Sequence, residues 1–308
     1  MLAPSSLLLL VAAAAGVAAE PVTEVVPARY VVIVGYNGGA PDARTPLRFA
    51  DDDATRLFLQ LAPSAERAWL LSTMDRETAK LFPDLSDVAR EPTRRALAQS
   101  LGEAFWLMRQ QKERGRATEL IFAFAGHGDV NDAGEGYVVL ADGPFARSDF
   151  TTQVLAASPA DINHVIIDAC SSYFMVRARG NESGRVELTP KLLDVLSDKD
   201  DAALRARTGV LVSTSSAAEV HESSELGAGV FSFLLRSALA GGADSDGDGR
   251  IEYAEAAGFV AAASAGLDDP RARLRVYADA PLQRPHSALA DLAHSGADRF
   301  LAVDESGP

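Results

Sequence analysis

Two residues in this chain have the types and setting for covalent chemistry. Cys170 is the single cysteine among 308 residues, and His127 stands 43 positions before it, between Gly126 and Gly128. A thiol is a poor nucleophile until it loses its proton, and an imidazole nearby can take that proton or stabilise the thiolate. Flanking glycines let a substrate backbone approach the histidine, and their N–H groups can serve as oxyanion donors. Alone, Cys170 reads equally well as a small buried hydrophobe, and His127 as a capping residue. Each, however, follows an apolar run, Leu120–Ala125 and His164–Asp168, which sets the pair apart from such incidental residues.

A second pattern concerns metal. From Asp244 to Glu255 the sequence DSDGDGRIEYAE has Asp at loop positions 1, 3 and 5, Gly at 6, an apolar residue at 8 and Glu at 12. This is the calcium-loop pattern of an EF-hand: Asp244, Asp246 and Asp248 give carboxylates, Arg250 a backbone carbonyl and Glu255 both its oxygens. Glu252 can act through water. Oxygen-only ligands select a hard cation such as Ca2+ over zinc. The plain alternative is an acidic turn without metal. HxH and HExxH spacings are missing, as are a Gly-rich phosphate loop and a GxSxG elbow, which argues against catalytic zinc, nucleotide chemistry and an α/β-hydrolase. His164, His221, His286 and His294 read as incidental.

The elements that must carry these residues alternate. Continuous apolar runs at Tyr30–Val34, Ala68–Leu71, Leu120–Ala125, His164–Asp168 and Gly209–Val212 read as strands buried on both faces. Between them, Asp51–Leu61 and a segment opened by Pro92-Thr93 read as helices, the second with Leu97, Leu101, Phe105 and Met108 on one face. Tyr137–Leu140 and Phe145 suggest a hairpin around Asp142-Gly143. Val230–Leu239 is an apolar helix, and Val230–Ala240 and Tyr253–Ala263 flank the acidic loop. Arg273–Tyr277 and Arg299–Val303 read as late strands. Such alternation predicts an α/β fold with a mostly parallel sheet. Ligand sites in such sheets lie at the carboxyl ends of the strands. The stretch Arg177–Arg207 reads as a long loop.

Composition narrows the class. Lys and Arg number 29 against 43 Asp and Glu, a formal charge of −14. That field repels a phosphate backbone, so no nucleic-acid partner is expected. Apolar residues at 47% and charged ones at 23% suit a globular chain. Residues 1–19 read as a signal peptide, with an apolar core over Leu7–Ala15 and small residues Val17-Ala18-Ala19 before Glu20. The expected mature protein starts at Glu20 and is periplasmic or extracellular, off the membrane after cleavage; retention as an N-terminal anchor is the alternative. Residues 20–290 are expected to form the folded domain and 291–308 a tail or the start of a further segment.

The strand motifs resemble a known family. Phe122-Ala123-Phe124-Ala125-Gly126-His127-Gly128 is similar to the histidine strand of caspase-fold peptidases, and Ile166-Ile167-Asp168-Ala169-Cys170-Ser171 to their cysteine strand, as in metacaspases and bacterial caspase-like proteins. A histidine about 50 residues before the cysteine is a caspase signature. Asp51-Asp52-Asp53-Ala54, Ser213–Glu219 and Gly229-Val230-Phe231-Ser232 resemble further family segments in the family's order. One departure is Ser171-Ser172-Tyr173-Phe174 after the cysteine, where the family usually has glycine.

The resemblance implies a caspase-like three-layer sandwich with about six central strands, carrying the EF-hand-like loop as an insertion. It implies a cysteine endopeptidase acting on protein or peptide: Cys170 the nucleophile, His127 the general acid and base, the N–H groups of Gly128 and Cys170 the oxyanion hole. Asp168 and Asp53 match acidic positions that hold Arg or Lys in metacaspases, so cleavage after a basic residue is expected. Asp168 as a strand-end hydrogen bonder and Asp51–Asp53 as helix caps are the alternative. Self-cleavage within 177–207 would follow from the same preference. A non-catalytic caspase-fold module that binds calcium and partners is the other reading, and a calcium-dependent interaction protein with Cys170 in its core a third.

Overall fold

The computed structural model describes residues 26–38, 45–169, 202–213, 222–267 and 272–293. Cys170, the segments 1–25, 171–201 and 294–308, and His221 and His294 lie outside the described residues, as does the predicted strand 299–303.

Six strands form the central sheet: β1 (Ala28–Tyr36), β2 (Arg67–Ser72), β3 (Thr118–Gly126), β7 (Ile162–Asp168), β8 (Thr208–Ser213) and β12 (Val276–Asp279). Their order is β12-β8-β7-β3-β1-β2. All neighbours are parallel except β12, which runs antiparallel along the β8 edge. β12 starts three residues later than the sequence suggested. Among the described residues three small sheets complete the strands: β4 (Gly128–Val130), β5 (Gly136–Leu140) and β6 (Gly143–Ala146) in one, β11 (Arg250–Glu252) with β13 (Ala288–Asp291) in a second, and β9 (Glu222–Ser223) with β10 (Ala228–Gly229) in a third. The expected hairpin is thus β5–β6, with β4 as an unforeseen third strand.

The apolar runs are continuous because alternate residues serve opposite cores. On one face Tyr30, Val32, Val34, Leu120, Phe122, Phe124, Val165 and Ile167 pack with Leu97, Leu101, Phe105 and Met108 of α4 (Arg94–Glu113). On the other, Val31, Ile33, Ile121, Ala123, Ile166 and Leu211 pack with α1 (Ala50–Leu61), α7 (Val230–Ser237) and α8 (Tyr253–Ala265). Each fully buried aliphatic side chain contributes about 1.5–3 kcal/mol, so the two faces together outweigh any single polar contact. Thr93 caps α4 from Ala96 N–H, and Asp142, in the β5–β6 turn, accepts from Arg94 N–H. The remaining short helices are α2 (Arg76–Leu81), α3 (Pro83–Ser86), α5 (Arg147–Phe150) and α6 (Ala202–Ala206).

Two expectations need correction. The loop reading of 177–207 fails at its end: α6 is helical, Leu204 is buried, and the Arg207 guanidinium donates to the carbonyls of Leu155, Ser158 and Ala160. Three carbonyls converging on one cation fix that corner to the sheet. The helix before the acidic loop ends at Ser237 and continues as a wider turn to Gly242, where Gly241 takes φ 110°. Only glycine enters that region cheaply.

Among the described residues no helix is long and apolar enough to cross a membrane.

Candidate active site

Strand register sets the geometry. Tyr36 of β1 pairs with Gly126 of β3, and Ala125 of β3 with Asp168 of β7, so three carboxyl ends finish level. His127 follows directly and is nearly buried, with Nε2 3.1 Å from the Thr45 carbonyl. That carbonyl can orient the ring when Nε2 carries the proton. Gly128 opens β4, opposite Val138.

α1 delivers an acid to the same edge. It lies tightly on β1 because Gly35 has no Cβ, which would collide with Ala54 and the Ala50 carbonyl. The three consecutive aspartates of α1 have separate tasks; the N-cap is Phe49, and Asp51 Oδ1 accepts from Asp52 N–H in the first turn. Asp51 accepts from the Asn37 side chain and from Asp75 N–H, tying together the turns after β1 and β2. Asp52 accepts from Thr78 Oγ1 and pairs with Arg56 at 3.0 Å. Asp53 faces the cleft. It is 3% exposed; Oδ2 accepts from Gly229 N–H at 2.7 Å, and Oδ1 finds no hydrogen-bond partner among the described residues. Burial, then the charge of Asp168, pushes its carboxyl well above the usual range, although Gly229 N–H opposes the shift.

Asp168 accepts from Ser232 Oγ at 2.6 Å. Asp53 and Asp168 line one cleft with Leu47, Ala50, Gly126 and Glu222. The structure therefore brings the two predicted substrate-binding acids together. Cys170, the predicted nucleophile, lies outside the described residues.

Sequence reading missed Glu222. Its carboxylate accepts from Arg48 N–H at 2.9 Å and Phe49 N–H at 2.8 Å, closing the entry to α1 and fixing the segment that carries Thr45. A glutamate in a polar stretch gives no periodic signal, so only the fold reveals the role. His164, read as incidental, is fully buried beside Glu119 and Tyr253.

Around the acidic loop, one ligand atom from each of Asp244, Asp246 and Glu255 lies within 4.8 Å of the others. Asp248 is outside that group; its Oδ1 accepts from Arg250 N–H. Gly247 and Gly249 take φ 77° and 79°, which makes the sharp turn. The oxygens are engaged locally: Asp244 by Gly247 and Gly249 N–H, Glu255 by Ser245 and Glu252 N–H. Burial pushes the Glu255 carboxyl up, but these donors together hold it below its usual range. β11 pairs with β13 rather than with a second such loop. The donor set of three close carboxylates fits a hard divalent cation.

A mostly parallel sheet with a Gly-flanked histidine and paired acids at its carboxyl edge defines a caspase-like α/β architecture. The chain belongs to the caspase domain family, whose model matches residues 29–261. Protein GSU0716 from Geobacter sulfurreducens, a solved structure, is 13% identical, with 86% of this chain and 99% of that one covered and a TM-score of 0.50. Caspase-1 from Spodoptera frugiperda is 12% identical, with coverage of 82% and 88% and a TM-score of 0.44. No curated protein sequence matches this chain.

Proposed function

We propose that this protein is a cysteine endopeptidase that cleaves after Arg or Lys. One observation carries the reading: Ala125 and Asp168 are register partners, and His127 and Cys170 each follow two residues later along their chains. In this reading the Cys170 thiolate attacks the scissile carbonyl and forms a C–S bond. His127 has taken the thiol proton and passes it to the leaving amine as the C–N bond breaks. Water, deprotonated by His127, then releases the acid product. The N–H groups of Gly128 and Cys170 receive the oxyanion.

The preference for a basic side chain is supported by Asp53 and Asp168, with Glu222 adding a third carboxylate at the rim. The charge of half-buried Asp168 disfavours ionisation of buried Asp53, and a guanidinium or ammonium entering between them relieves that cost. Ca2+ would be held by Asp244, Asp246 and Glu255, with Asp248 and the Arg250 carbonyl as further oxygen ligands. It would pin α8 to the turn after α7. Export as a mature chain from Glu20 completes the reading.

Fluorogenic peptides with Arg, Lys or Asp before the scissile bond provide the test, with calcium or chelator and a Cys170→Ala control. Hydrolysis of the Arg and Lys peptides that vanishes in Cys170→Ala is expected, together with a lower Tm in chelator. Cleavage of the Asp peptide alone overturns the acidic pocket. Turnover that survives in Cys170→Ala overturns the nucleophile. No turnover in any condition moves the reading to a binding module.

A further inference from the structure

We infer that Ser232 is a positioning residue that sets a preference for Arg over Lys by fixing the orientation of the Asp168 carboxylate. The inference rests on the acidic-pocket reading above and goes beyond it.

Both cleft acids are held from one place, the first turn of α7. Gly229 N–H donates to Asp53 Oδ2 at 2.7 Å, and Ser232 Oγ donates to Asp168 Oδ2 at 2.6 Å. Ser232 is 9% exposed, so its hydroxyl bond is shielded from water. A short, charge-assisted bond from a buried hydroxyl is about twice as strong as a neutral one. It restrains rotation of the Asp168 carboxyl group by engaging Oδ2.

Orientation matters more for one basic side chain than for the other. A guanidinium is a rigid planar fork, and its best grip on a carboxylate needs matched planes. An ammonium is a point charge on a flexible stem, and it tolerates a rotated partner. Arg236, one turn along α7, lines the enclosed space beneath Asp53 and Asp168 together with Ser232. A carboxylate released from Ser232 has that resident cation nearby as an alternative partner. Ser232 therefore keeps Asp168 presented to the incoming side chain.

The test is steady-state kinetics of wild type, Ser232→Ala and Ser232→Thr on Arg and Lys peptides. In Ser232→Ala, KM for the Arg peptide is expected to rise about tenfold, the size of one lost hydrogen bond to a charge, and KM for the Lys peptide only about twofold. kcat should change less than either KM. Ser232→Thr, which retains the hydroxyl, should restore the wild-type ratio. A Ser232→Ala protein with an unchanged Arg-to-Lys ratio overturns the inference while leaving the basic-residue reading intact. So does a Thr variant that behaves like Ala. A wild type that hydrolyses only other peptides overturns both. Where no peptide is turned over, calorimetric binding of agmatine against butylamine reads the same ratio: a preference for agmatine lost in Ser232→Ala supports the role, and an unchanged ratio overturns it.

Discussion

The two ends of the central sheet each bury a carboxylate, with opposite outcomes. At the amino ends, Arg29 of β1 donates through Nε and Nη2 to Glu119 of β3, at 3.2 and 2.9 Å, and through its other N–H groups to the Ala288 and Leu289 carbonyls. Next to them, Tyr253 Oη lies 2.8 Å from His164 Nδ1, while His164 Nε2 sits 3.7 Å from Glu119. At the carboxyl ends, Asp53 meets a second acid, Asp168, and leaves one oxygen unpaired among the described residues. Burial would raise the Glu119 carboxyl, but His164 and Arg29 beside it hold it down to about 2. Burial raises Asp53 with much weaker opposition. The sheet satisfies its charges at one end and leaves them in conflict at the other, and the candidate site lies at the end where the conflict is.

The largest expected effect breaks the satisfied end. Glu119→Ala removes the partner of a buried guanidinium and leaves that charge uncompensated, which costs about 3–5 kcal/mol. Chemical denaturation should show a fall of that order. A loss below about 1 kcal/mol would mean that the backbone carbonyls of Ala288 and Leu289 suffice for Arg29, and the contrast between the two ends would shrink accordingly.

The unsatisfied end predicts a smaller effect of the opposite sign. The folded-state pKa of Asp53 is raised above its unfolded value. The stability linked to its proton is therefore full below the ordinary aspartate range and is lost as pH rises through the folded value. Asp53→Asn keeps an acceptor for Gly229 N–H and cannot ionise. Near pH 4 the variant should match wild type, and at pH 8 it should be more stable by about 1–2 kcal/mol, within the range that buried like charges impose. The same variant should raise KM for basic peptides. Equal stability of the two proteins across this range would show that Asp53 is already compensated.

Much of this was legible from residue order. The strand runs, the α4 face and the histidine strand are periodic signals, and alternate burial on two cores explains why those runs have no polar gaps. The aspartate run at the start of α1 was legible as a feature but not as three separate jobs, since partners such as Thr78, Asp75 and Gly229 are distant in sequence. Glu222 and His164 were missed for the same reason. A polar residue's role depends on what the fold sets against it, and no local pattern encodes that. Arg207 was misread because a basic residue in a charged stretch looks solvated until three carbonyls converge on it.

His164 provides the smallest and most local test of the contrast. It is fully buried, and desolvation lowers its pKa below 6.5, although Glu119 pulls the other way. Tyr253 stays protonated, because burial pushes its phenol well up, and its O–H can donate to Nδ1. The ring proton then sits on Nε2, toward Glu119. With the ring neutral at pH 7, Arg29 is the lasting counter-charge of Glu119. A base with a depressed folded pKa contributes stability that is present above its unfolded pKa and is lost as pH falls through the folded value. Unfolding free energy should therefore decline below pH 6.5 by at most about 1.4 kcal/mol per pH unit from this group. His164→Gln, which keeps a polar contact for Tyr253, should remove that slope between pH 6.5 and 5. If the slope persists in the variant, the proton uptake belongs to another group. If wild type shows no slope, Glu119 holds His164 charged in the fold, and the amino end is a three-member ion network rather than one ion pair with a neutral neighbour.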